Sequence, residues 1–191
     1  MAESDTRKAW GNFELEVEAH VRRLISSGKL AIRAASAKVH HHKAYFSTDR
    51  KKEIIFDIAI EVFADGASVP SLIWLWECKD YPTRTVKVDE IEEFWAKMEQ
   101  VRANKGTVVT RIGFDKGAVE YAKSKRIGLA RLEKVLVAHT NFASDAADYE
   151  TVEIRAMDGV SSTGEAYTSD AFWATLEWVV ERELRNFELL P

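Results

Sequence analysis

A single cysteine, Cys78, stands among 191 residues, which excludes an internal disulfide and any zinc cluster built on several thiolates. No apolar run approaches the ~20 residues that cross a bilayer. The opening residues Met1-Ala2-Glu3-Ser4-Asp5 lack the basic-then-apolar pattern of a secretory leader. The expectation is a cytoplasmic protein with no membrane partner. Internal repeats and low-complexity tracts are lacking too, and no stretch reads as a separate DNA-reading module.

What is present suits one ordinary domain with a terminal extension: the chain is 46% hydrophobic and 30% charged and long enough to bury a core. Its net charge of −4 is unevenly spread. Residues 144–191 hold eleven acidic and three basic side chains, a net of −8, which leaves +4 for residues 1–143. A basic surface on the first part is a mild nucleic-acid footprint.

The chain is organised around residues 54–79. In Ile54 to Phe63, strand alternation sets Ile54, Phe56, Ile58, Ile60 and Val62 on one face, with Ile55, Asp57, Ala59, Glu61 and Phe63 on the other. In Leu72 to Lys79 the same period puts Glu77 and Lys79 together. The Gly-, Asp-, Ser- and Pro-containing segment 64–70 reads as a loop, so the strands form an antiparallel hairpin. Setting Phe63 opposite Ser71 brings Asp57 opposite Glu77, about 5 Å apart at Cβ. Two half-buried carboxylates at that range repel unless a cation neutralises them. Oxygen donors suit Mg²⁺, with Mn²⁺ as the substitute, and the Cys78 carbonyl adds a further oxygen ligand. Metal-assisted phosphodiester cleavage needs such an ion and a nearby cation, and Asp57, Glu77 and Lys79 supply that inventory. The Cys78 side chain points to the opposite face and reads as packing. Glu61 reads as a solvated acid near the loop.

Around this hairpin, residues 1–12 read as a flexible lead. A helix follows from Asn12, with Phe13, Val17, Val21 and Leu24 as its buried stripe and a stop near Gly28. Glu14 and Glu18 flank that stripe, either as acids reaching a neighbouring site or as solvated side chains, with Arg22 as an ion-pair partner. The basic stretch 38–52 interleaves Tyr45 and Phe46 with Lys43, Arg50, Lys51 and Lys52, which are phosphate-contact candidates beside the plainer reading of a charged loop or edge. His40, His41 and His42 are consecutive, and three such residues cannot all face one metal from a regular element. Farther on, Asp89 opens a helix that runs to about Ala103 with Gly106 as its stop, followed by a strand at Thr107–Thr110 and a helix at Lys116–Lys125 capped by Asp115. Strands are expected at Ile127–Leu132, Lys134–His139 and Glu150–Ile154. Last comes an amphipathic helix from Ser169.

Asp57, nineteen intervening residues and then Glu77-Cys78-Lys79, preceded by a helix bearing acids, resembles the PD-(D/E)xK nuclease superfamily. Residues 107–127, with Gly113-Phe114 and Tyr121-Ala122, resemble its Mrr-type restriction endonuclease branch; the resemblance covers about residues 13–133. It implies an α/β fold with a restriction-endonuclease-like mixed central sheet flanked by helices, extended over residues 134–191 by an acidic segment ending in the amphipathic helix. It also implies a Mg²⁺-dependent DNA endonuclease of restriction or defence type, or a catalytically weak relative that binds nucleic acid or a partner subunit. Asp57 and Glu77 would be metal ligands and Lys79 the catalytic lysine. Glu14 would complete the site, with Glu18 as the alternative, and Gln100 would approach the phosphate. Phe56 stands where the motif's name has proline. DNA is the implied partner, with a homodimer through the last helix or a separate targeting subunit.

Overall fold

The structure, a computed structural model, describes residues 2–30, 32–137 and 149–156. Six strands form one sheet in the order β1 (Ala37–Ser47), β2 (Lys52–Val62), β3 (Leu72–Lys79), β4 (Lys105–Thr110), β5 (Gly128–Val137) and β6 (Tyr149–Ala156). The pairs β1/β2, β2/β3 and β5/β6 are antiparallel, and β3/β4 and β4/β5 are parallel. Helix α1 (Ala2–Ser26) packs on one face of this mixed sheet, and α2 (Val88–Val101) and α3 (Lys116–Lys125) pack on the other.

Helix α1 buries the expected stripe, Phe13, Val17, Val21 and Leu24. It begins at Ala2, so the lead expected to be flexible is helical backbone from residue 2 onward. Gly28 ends it at φ 70, a left-handed turn that glycine adopts without a Cβ penalty. Glu18 takes a bond from Arg22 at 2.8 Å, the ordinary one-turn ion pair.

The hairpin register is the expected one: Ile58 pairs with Trp76 and Val62 with Leu72. The facing of β2 differs. Ile58 and Ile60 join the α1-side core with Trp74 and Trp76, whereas Ile54 and Phe56 join the α2-side core with Ala59 and Leu75. Strict alternation cannot place Phe56 and Ile58 on opposite faces. The reversal falls at Asp57, and β1 reverses beside it, with Val39 against one core and Tyr45 against the other. The β1/β2 ladder passes from His41↔Ile58 to Lys43↔Phe56 without pairing His42 to Asp57, and His42 has φ 50. A left-handed residue inside a strand turns the chain about its axis, so both strands exchange faces at one step.

The stretch from Lys38 is an edge strand, not a loop, and its charges are what an unpaired edge tolerates. Helix α2 starts one residue earlier than Asp89, with Lys87 as its N-cap and the Glu90 carboxylate accepting the Lys87 N–H at 2.9 Å. It ends at Arg102 in the left-handed conformation, not at Gly106, which lies inside β4. Helix α3 keeps its expected bounds, and the Asp115 carboxylate accepts the Ala118 N–H at 2.7 Å. The two strands expected around residue 133 are one, β5, and β6 pairs with it. The first part of the expected extension therefore belongs to the sheet; the helix expected from Ser169 lies outside the described residues.

Candidate active site

Glu77 and Lys79 lie at the C-terminal end of β3, where β3 and β4 run parallel. The helices set what meets them. From α2, Lys97 reaches the Glu77 carboxylate at 3.6 Å, and from β3 itself Lys79 reaches the same oxygen at 2.9 Å. Glu77 is buried, 7% exposed, so these two ammonium groups supply the charge compensation that a desolvated carboxylate requires. Sequence reasoning missed Lys97. Its signal was available, since it lies between Phe94 and Met98 on the buried edge of α2 and one turn from Glu93, to which it also bonds at 2.9 Å.

Asp57, at the point where β2 changes face, turns its carboxylate to the neighbouring strand and accepts the Cys78 N–H at 2.7 Å. Burial first, then the charge of Glu77, raises its carboxyl to about 7; the Glu14 charge adds to this, while the Cys78 amide and Lys79 oppose it. Asp57, Glu77 and Glu14 thus share one field. Lys79 balances differently. Burial pulls its ammonium down, yet the charge and hydrogen bond of Glu77 outweigh burial and hold it above its ordinary value. Lys79 is accordingly a cation that donates to Glu77.

The Cys78 thiol packs against the α1-side core. Burial and the surrounding carboxylates push it well up, which leaves only its backbone oxygen for any ligand role. Glu14 comes from α1 and Glu18 does not join it, being paired with Arg22. Glu14 accepts from His41 and His42. Its neighbours on α1 are tied to the sheet by Arg111, which follows β4: the guanidinium bonds Asp80 at 3.1 Å and Glu16 at 2.8 Å and lies over the Phe13 ring.

The other expected residues divide into two groups. Lys43 and Tyr45 are drawn to Glu61, with the Tyr45 hydroxyl donating at 2.8 Å and the Lys43 ammonium in ion-pair range at 3.8 Å. Glu61 is buried, not solvated, and is also bonded to His40 at 3.0 Å. Arg50, Lys51 and Lys52 stand exposed on the β1–β2 turn. Gln100 is held beneath that turn: its side-chain oxygen accepts from Ser47 at 3.0 Å, and Ser47 in turn accepts the Arg50 N–H at 3.1 Å. Gln100 thus braces the basic turn.

The family model described as restriction endonuclease (Mrr_cat) matches residues 47–138. A crystal structure of a protein of unknown function, AF1548, is 17% identical with a TM-score of 0.41 over 56% of this chain, which spans about half the length of that relative, 55%. No curated protein matches the chain.

Proposed function

We propose, since residues 47–138 belong to the Mrr-type restriction endonucleases of the PD-(D/E)xK superfamily, that this nuclease-type domain cleaves DNA with a divalent ion held by Asp57, Glu77 and the Cys78 carbonyl. The observation that carries this reading is the convergence of Asp57 on the end of β3, where its carboxylate accepts the Cys78 N–H at 2.7 Å between Glu77 and Lys79 in the chain, and where burial and the Glu77 charge raise its carboxyl. A hard oxygen donor set fits Mg²⁺ or Mn²⁺. When bound, such an ion polarises a phosphate oxygen and makes a coordinated water more acidic.

The chain's own residues do the rest. Lys79, kept protonated by Glu77, orients the attacking water and donates to the charge that develops on the phosphate. Lys97 adds a second positive charge on the α2 side. Glu14 completes the acidic wall from α1. Arg50, Lys51 and Lys52 hold the duplex by its phosphates, with Gln100 keeping their turn in place. A restriction or defence role is part of the proposal, and the description of the matching family model supports it.

Supercoiled plasmid tests the reading. The parent should nick it with Mg²⁺ and stop with EDTA, and Lys79→Ala, folded by circular dichroism, should cut at least about 10²-fold more slowly. Equal rates for the two proteins would remove Lys79 from the chemistry.

One observation favours a second reading, a catalytically weak domain that binds nucleic acid or a partner subunit: Glu77 already has two lysine partners. Calorimetry with Mg²⁺ and Mn²⁺ separates the two. Heat that depends on Asp57 and Glu77 supports the nuclease, and its absence supports the binding domain.

A further inference from the structure

Glu14, His41 and His42 make a constellation whose two histidines the nuclease reading does not use. The Glu14 Oε2 atom lies 3.2 Å from His41 Nε2 and 2.7 Å from His42 Nε2, and the three potential donor atoms all fall within 4.8 Å of one another. Consecutive strand residues ordinarily point to opposite faces, which is why the histidine run was expected to hold no metal. The left-handed backbone of His42, φ 50, removes that obstacle. It brings both rings to the same side, stacked with centroids 3.9 Å apart and planes 23° from parallel.

Two imidazoles and one carboxylate are the donors of borderline transition ions, whereas Mg²⁺ is poorly served by nitrogen. The setting is graded in exposure. Glu14 and His41 are largely enclosed, while the His42 side chain is 56% exposed, so an ion has an entry path and room for water. We propose that Glu14 Oε2, His41 Nε2 and His42 Nε2 bind one divalent ion of the zinc class, tetrahedral with a water in the fourth position.

This site is chemically distinct from the oxygen-only cleft of Asp57 and Glu77 and stands whether or not that cleft cuts DNA. It is adjacent to it, since the Glu14 charge reaches Asp57. A dication on Glu14 would therefore turn a repulsion at Asp57 into an attraction.

Protein free of any histidine tag is titrated with Co²⁺ and followed by its visible d–d absorption, then challenged with Zn²⁺. The expected result is one equivalent of Co²⁺ with the intense bands of four-coordination, displaced by Zn²⁺. His41→Ala and the exposed His42→Ala should each weaken binding at least about tenfold, as loss of a ligand requires. Asp57→Asn, which removes one neighbouring charge but no ligand, should keep the single equivalent and its four-coordinate bands, which separates this site from the nuclease cleft. Thermal unfolding with and without Zn²⁺ gives a second readout, in which the parent gains in Tm and His42→Ala gains much less. Undiminished Co²⁺ binding in both histidine variants, or none in the parent, would overturn the proposal and leave Glu14 as a hydrogen-bond partner of the two histidines.

Discussion

Glu90 ties the entry of α2 together at the scale of one side chain. Its carboxylate accepts from the Lys87 N–H, from Arg84 at 2.8 Å and from the Tyr81 hydroxyl. Burial alone pushes its pKa up, but these hydrogen bonds outweigh burial and bring it down to about 2. A carboxylate depressed on folding stabilises the native state above its unfolded pKa, and that contribution fades as pH falls from about 4.5 toward 2. Glu90→Gln should therefore lower the Tm at pH 7 and cost progressively less below pH 4. Melting curves of both proteins across that range check it, and a constant deficit at every pH would assign Glu90 a packing role instead. Single residues also mark where the sequence was silent. Nothing in the run His40-His41-His42 signals a left-handed residue, because the usual sign is glycine, and the convergence on Glu14 was hidden with it. Glu61 was misplaced for a related reason: its partners Tyr45 and His40 lie on a strand that charge had disguised.

At the scale of elements, α2 rests directly against β4 at Gly106. A Cβ built on Gly106 would stand 2.1 Å from Met98 Sδ and 2.7 Å from Phe94 Cε1. Gly106 is thus a contact position rather than a helix stop, and the helix that carries Lys97 rests on it. Gly106→Ala should destabilise the fold by ~1–3 kcal/mol, the usual range for overpacking. Urea unfolding measures this, and an unchanged midpoint would mean that Met98 swings aside freely. The elements show why some bounds were legible. The bounds of β3 and α3 matched because apolar periodicity and flanking turn or cap residues agree there. β1 was obscured because edge strands carry charge, and α2 was shifted by one position because two acids at its start compete for the capping role.

For the whole molecule, the register of the central hairpin followed from its loop, and the mixed sheet from its strand–helix–strand run. The exchange of faces at Asp57 did not, and it changes how the layers depend on one another. Upstream of Asp57, β2 supplies Ile54 and Phe56 to the core under α2; downstream, it supplies Ile58 and Ile60 to the core under α1. One strand is therefore the floor of both layers, with the acidic crossing point between them. Neither layer can melt without stripping half of β2, so the two cores should be lost in a single thermal transition. Scanning calorimetry would then give equal calorimetric and van't Hoff enthalpies, while two resolved transitions would show independent layers. Such coupling means that the crossing which gathers the charged groups also makes the molecule's two halves one cooperative unit.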